Sequence, residues 1–240
     1  MQPIVDYTNS GVKPDVRTLG DLRSVLYSKE VTDNPGRELY YMYRGLSSSE
    51  KDRKAMHEAG LRYDITVVKS GLIGEEFVKT LGHYHPLIPG TDLTYTEIYQ
   101  VLEGFAHYLL QKEEAGVVSE VVVVEASLGD VVVIPPNYGH ITINLGAGKL
   151  VMANWVADGF ASDYDPIKSR GGGAYFELEE EGFVKNPSYG NVPELCFALP
   201  NGESFGFRKG VDMYSFVDRL KDLDFLKQPW YYPELSVGLF

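Results

Sequence analysis

Between Arg62 and Trp155 the chain reads as short β-branched and aromatic runs broken by turn residues at regular intervals, and no other stretch narrows its folds as much. The runs are Tyr63–Val68, Glu76–Thr80, Glu97–Leu102, Phe105–Gln111, Ser119–Val124, Val131–Ile134, Ile141–Leu145 and Leu150–Trp155. Short strands spaced in this way predict a sandwich or a barrel. Val121–Val124 and Val131–Ile134 are apolar without alternation. That pattern fits strands buried on both faces, or a sheet edge packed inside a dimer.

The flanks read differently. Residues 1–16 form an extended arm, because Pro3 and Pro14 block regular helix. Thr18 and Asp21 ahead of a Leu19/Leu22/Val25/Leu26 stripe predict a short amphipathic helix ending near Ser28. Thr32–Gly36 is a turn cluster, Glu38–Arg44 a strand, and Ser47–Ser49 helix caps with a stop at Gly60. Met213, Phe216, Val217, Leu220 and Leu223 give Asp212–Leu226 one apolar side, which predicts an amphipathic helix. The Trp230-Tyr231-Tyr232 stretch is too aromatic for a free tail and is expected to dock on the barrel or on a second subunit. The expected organisation is therefore residues 1–60 as an N-terminal arm packing on the barrel, 61–190 as the barrel, and 191–240 as a helical and aromatic extension.

The chemistry concentrates in the central region. His83 and His85 stand two apart, so on an extended strand both side chains point to the same face. Glu97 follows, and His140 comes later in Pro135-Pro136-Asn137-Tyr138-Gly139-His140. Neutral imidazole nitrogens with one carboxylate oxygen suit a borderline divalent metal such as iron, zinc, nickel or manganese. Tyr99, two residues beyond Glu97, shares its face. His57 reads as a solvated helix residue, and His107 as structural, with no partner at useful spacing. Lys168 and Arg170, beside a Gly triplet, read as solvated loop charges.

Charge excludes one class of function. The net charge of −12 and the absence of Lys/Arg clusters along the chain argue against nucleic acid. A metal ion and oriented backbone N–H groups can still hold a phosphate in a globally acidic protein. No apolar run approaches the length of a membrane helix, and the N-terminus shows no basic and apolar leader pattern. The single Cys196 cannot form an internal disulfide. Together these readings lead to an expectation of a cytoplasmic protein with no membrane partner.

Two motifs now resemble a known superfamily. Gly82-His83-Tyr84-His85, then Glu97 followed after six residues by Gly104, resembles the first cupin motif. Gly129, five residues, Pro135, then His140, three residues, Asn144, resembles the second, with Asn137 where that pattern has Gly. Asn tolerates the positive φ such a position calls for. Within cupins, Thr80–His85, Thr96–Tyr99 and Asp163-Tyr164 ahead of a Gly-rich segment are similar to the cupin-type phosphoglucose isomerases, over roughly residues 20–190.

The resemblance implies an all-β cupin barrel, a double-stranded β-helix or jelly roll, with short N- and C-terminal helices. It implies a homodimeric isomerase that interconverts glucose 6-phosphate and fructose 6-phosphate in glycolysis and gluconeogenesis. One divalent metal per subunit is expected, Fe2+ first, with Zn2+, Ni2+ or Mn2+ as alternatives. His83, His85, Glu97 and His140 fall on its ligands, Thr66, Thr80 and Gly82 on the phosphate positions, and Tyr99 and Tyr164 on the sugar site. Trp155 stands where a tyrosine is expected and is taken as substrate-binding, and Ser162 sits near an expected histidine. Eleven residues, Pro86 to Thr96, separate His85 from Glu97, more than the family usually has.

Isomerisation needs a base beside the proton next to the carbonyl, and Glu97 is the candidate, with Tyr99 as a hydrogen-bonding partner of the sugar. A direct hydride shift between the two carbons is the other route. An iron dioxygenase with the same ligands and a non-catalytic, metal-stapled sugar-binding cupin are the rival readings, and mannose 6-phosphate is the rival substrate.

Overall fold

A computed structural model describes residues 4–235. The outermost ends of the expected arm and extension lie outside the described residues. In chain order the strands are β1 (Asp15–Thr18), β2 (Glu38–Tyr43), β3 (Leu61–Val68), β4 (Leu72–Ile73), β5 (Glu76–Phe77), β6 (Glu97–Glu103) and β7 (Phe105–Glu114). They continue with β8 (Val117–Ser127), β9 (Val131–Ile134), β10 (Tyr138–Asn144), β11 (Leu150–Ala157), β12 (Tyr175–Leu178), β13 (Gly182–Lys185) and β14 (Cys196–Ala198). Three short helices, α1 (Leu19–Leu22), α2 (Glu50–Ala59) and α3 (Asp165–Ser169), lie between them.

A six-stranded sheet runs β1-β2-β3-β11-β6-β9 and a four-stranded sheet runs β10-β7-β8-β14. Tyr40, Val68, Tyr99 and Met152 of the first pack with Tyr108, Val122 and Val124 of the second, which closes the expected cupin barrel around an apolar floor. β10 extends across to the chain before it through the bridges Lys79 to Ile143 and His83 to His140. The third sheet, β13-β12-β5-β4, covers the outside of the second through Leu109, Val123, Ile141 and Tyr175.

Local chemistry accounts for the ends of elements. Thr18 caps α1 in a reciprocal box with Asp21, and Ser49 caps α2, which stops at Gly60 in the left-handed region. The β7–β8 hairpin turns over Ala115 and Gly116, both at positive φ.

Two expectations are corrected. The run Glu76–Thr80 pairs as a strand only over Glu76–Phe77, because the chain then leaves its small sheet to meet β10. The N-terminal strands β1 and β2 extend the barrel's larger sheet, Arg17 pairing with Tyr40 and Met42 with Thr66. Residues 213–226 wind as 3-10 turns broken at Arg219, not as one amphipathic helix. Met213, Phe216, Leu223 and Phe225 still reach the outer face of the large sheet, so their burial prevails over regular helix geometry. Tyr232 packs on Phe225, while Trp230 and Tyr231 are exposed.

Candidate metal centre and cavity

A cavity of about 340 Å³ opens at one end of the barrel. The wall with the candidate metal ligands is made by three pieces of chain. Glu97 starts β6, His140 lies on β10, and His83 and His85 sit on the extended segment that bridges to β10. One donor atom from each of the four lies within 4.8 Å of the others. Glu97 Oε2 is 3.2 Å from His85 Nε2, 3.2 Å from His140 Nε2 and 4.0 Å from His83 Nε2.

Two of the four, His85 and Glu97, are held from behind. His85 Nδ1–H donates to the Tyr95 carbonyl at 2.9 Å, which leaves Nε2 as the lone-pair nitrogen facing the cluster. Asn154 Nδ2 donates to Glu97 Oε1 at 2.7 Å. Oε2 is left buried with no hydrogen-bond partner. His83 Nε2 and His85 Nε2 approach to 3.3 Å, a contact of two lone pairs if both rings are neutral with their inner nitrogens free. Burial, reinforced by the neighbouring imidazoles, pushes His83 well below the usual imidazole range, and burial lowers His140. Burial opposes ionisation of Glu97, but the closeness of His140 and His85 outweighs it and holds the carboxyl well below the usual carboxylate range. Neutral imidazoles, an ionised carboxylate and an orphaned inward oxygen are the donor set that a divalent cation satisfies. The residues fit one metal ion.

Two features keep this wall close to the second. Gly82 has φ +83°, and a Cβ there would meet Ile141 Cγ1 at 2.4 Å, so only glycine lets the His83–His85 segment lie on β10. Asn137, standing where the motif has glycine, adopts φ 70°. It also accepts from Thr94 N at 2.9 Å and donates its own N–H to Thr94 Oγ1 at 2.6 Å. Those bonds tie down the long Pro86–Thr96 connection, which folds back as a tight turn with Ile88 N–H donating to Leu93 O.

Thr66, Thr80, Gly82, Tyr99 and Tyr164 all line the cavity. Thr80 Oγ1 accepts from Thr142 N at 2.9 Å, which leaves its O–H free to donate inward. Tyr99 OH sits 3.2 Å from His140 Nε2, and burial beside Glu97 pushes it well above the usual phenol range, so it stays a neutral donor. Ser162 lines the opening.

Trp155 is misassigned by the sequence reading. It is fully buried on the other side of β11, edge-on to Tyr63, stacked with Tyr214, and donating Nε1–H to Met213 O at 3.0 Å. Alternation along the strand gives the cavity Asn154 and Val156 instead. Lys79 points away, as expected, and is buried against Glu76 Oε1 at 2.5 Å and Val25 O at 2.9 Å. His107 does have partners: Nδ1 is 2.8 Å from Glu177 and Nε2 is 3.3 Å from Glu125.

The sequence reading missed a set of cations. Arg17, Arg44 and Arg62 line the cavity with Asp64. Arg62, Asp64 and Thr66 alternate on β3, so extending the two-residue period back from Thr66 finds them. Arg17 comes from a strand far off in the chain, and no local signal marks it.

The same architecture has relatives. The family model for glucose-6-phosphate isomerase (GPI) matches residues 16–194. A glucose-6-phosphate isomerase of Thermococcus gammatolerans is 32% identical over 176 residues, 73% of this chain and 85% of that enzyme. One of Pyrococcus furiosus is 30% identical over 180 residues, 73% of this chain and 86% of the enzyme. Among solved structures, a mutant of Bacillus subtilis oxalate decarboxylase aligns with a TM-score of 0.37 at 19% identity, covering 55% of this chain and 29% of that one. On the family match and the two archaeal relatives, this chain belongs to the glucose-6-phosphate isomerase family.

Proposed function

We propose that this protein interconverts glucose 6-phosphate and fructose 6-phosphate with one divalent metal held by His83, His85, Glu97 and His140. The single observation that carries the reading is Glu97 Oε2, an ionised, buried and unpartnered oxygen facing three imidazoles inside a sugar-sized cavity. Family membership supplies the substrate pair. Fe2+ is the first expectation, and Zn2+, Ni2+ and Mn2+ suit the same donors.

When bound, the metal would supply positive charge near the oxygens carried by the two carbons between which the hydrogen moves. Glu97 is the base. It sits where it can take the proton from the carbon beside the carbonyl and return it to the neighbouring carbon. Asn154, by holding Oε1, keeps the other oxygen aimed inward. Tyr99 donates its O–H to a sugar oxygen, and Tyr164 flanks His83 at 5.5 Å between ring centres, closing the sugar site on that side. Thr66, the free O–H of Thr80 and the backbone at Gly82 take the phosphate. Phe160, packed on His85 and stacked on Tyr95, makes an apolar rim that keeps water from the reacting carbons.

The remainder of the proposal follows the family: a homodimer, working in the cytoplasm, in glycolysis and gluconeogenesis. Among the described residues no helix is long and apolar enough to cross a membrane. The test is conversion of fructose 6-phosphate to glucose 6-phosphate by purified protein supplied with divalent metal, with oxygen uptake followed in parallel and mannose 6-phosphate as the competing product. Formation of glucose 6-phosphate without oxygen uptake is expected. Oxygen consumption without sugar conversion would replace the isomerase with the dioxygenase reading.

A further inference from the structure

Three guanidiniums line the cavity, and their partners differ. Arg44 Nε is 3.0 Å from Asp15 and its Nη1 3.6 Å from Asp64. Arg62 Nε is 2.9 Å from Asp64, and its Nη1 is 3.4 Å from Asp158. Arg17 makes no ion pair with any carboxylate among the described residues, and its Nε is buried with no hydrogen-bond partner. A buried donor left unmade is costly, and a guanidinium more so, so an anion that fills the gap is stabilised by it.

The position of Arg17 says which anion. Arg17 pairs across the sheet with Tyr40, and Tyr40 OH accepts from Leu81 N at 3.2 Å. Leu81 lies between Thr80 and Gly82, so Arg17 is one residue removed from the turn assigned to the phosphate. Burial pushes Tyr40 up to about 12, so it stays neutral and does not cancel the charge of Arg17. On the other side the Arg17 guanidinium lies 5.9 Å from the Tyr164 ring centre, and that ring lies 5.5 Å from His83. Arg17 and His83 thus both lie against Tyr164 and line the same cavity, so the guanidinium and the candidate metal ligands face one bound sugar phosphate. Lys168, 5.7 Å from the Tyr164 ring centre, is exposed and less suited to the role.

We infer that Arg17 is a phosphate-recognition residue, its guanidinium gripping the phosphate of the sugar phosphate alongside Thr66, Thr80 and Gly82. The planar fork meets two phosphate oxygens at once, which a lysine cannot do. The globally acidic chain therefore admits a dianion through one guanidinium that no carboxylate among the described residues pairs and whose Nε has no partner. This inference rests on the isomerase reading for the identity of the sugar, but the oxyanion site stands apart from turnover.

The experiment compares wild type, Arg17→Met and Arg17→Lys, all metal-loaded, by fructose 6-phosphate kinetics and by calorimetric titration with inorganic phosphate. Arg17→Met is expected to raise KM and to weaken phosphate binding, each about 10- to 100-fold, with kcat within about threefold and metal content unchanged. Arg17→Lys should recover part of both. Unchanged KM and unchanged phosphate affinity in folded Arg17→Met overturn the inference. Should Arg17→Met fail to fold, unaltered values in Arg17→Lys overturn it equally. If the wild type turns over no sugar phosphate with any metal, the isomerase reading fails on that arm, and the phosphate titration alone decides Arg17.

Discussion

The two faces of the six-stranded sheet are built from the same strands and do opposite work. On the inner face Glu97, Tyr99, Asn154 and Asp64 stand among arginines around a solvent-reachable cavity. On the outer face Ile98, Trp155, Tyr63 and Ile65 are buried under the C-terminal segment with Tyr214, Phe216 and Phe225. Adjacent residues of β11 illustrate the division: Asn154 holds the metal-facing carboxylate, and Trp155 holds the C-terminal turns by a bond to Met213. A strand's two-residue period thus lets one segment serve reactivity and stability without compromise between them. Substitutions one position apart should then fail in different assays.

The largest effect is expected on the inner face. Glu97→Gln removes the proposed base and a proposed metal ligand and should lower kcat by about 10²- to 10⁴-fold, with the fold retained by circular dichroism. A variant that keeps its rate would take the base away from Glu97. On the outer face Trp155→Ala should cost about 3–5 kcal/mol of stability, read as a lower melting temperature, while KM for fructose 6-phosphate below that temperature stays near wild type. A large KM change with little loss of stability would return Trp155 to the substrate site.

Asn154→Ala, one residue away, should do the reverse. It frees Glu97 Oε1 and should weaken metal affinity or activity about 10- to 100-fold, with a smaller melting shift than Trp155→Ala. Acid sharpens the contrast. An unfolded chain protonates His83 and His140 near 6.5, while the folded cavity resists because their values are depressed. The unfolded state then binds more protons below that pH, so metal-free protein keeps its stability above about 6.5 and loses it as the pH falls further. Metal-loaded protein should resist until its ligands are protonated. A melting temperature flat from pH 7.5 to 5.5 in the metal-free protein would contradict this. The smallest effect belongs to Tyr231→Ala: this exposed side chain should matter by less than about 0.5 kcal/mol.

How much of this was legible in the sequence depends on the range of the interaction. The barrel was readable because strand runs and their turns are local, and so were the α1 and α2 caps at Thr18, Ser49 and Gly60. The His83, His85, Glu97 and His140 cluster was readable because His83 and His85 carry their own two-residue period and stand in recognisable motifs. The failures are of two kinds. Trp155 was a parity error: a slip of one residue exchanges the faces of a strand, and Asn154 was the residue that faced inward. Arg17 and the Glu177 partner of His107 were out of reach for another reason. Both depend on chain segments brought together only by the fold, the latter across 70 positions. The 3-10 turns of residues 213–226 were misread as helix because apolar spacing reports the buried side and not the winding.

The most direct test of the central claim is a metal titration of stripped protein, with fructose 6-phosphate turnover measured at each addition. Three imidazoles facing one carboxylate oxygen predict activity that is absent at the start, rises in proportion to added metal and breaks sharply at one equivalent per chain. Full turnover in stripped protein, or turnover indifferent to added metal, would contradict it.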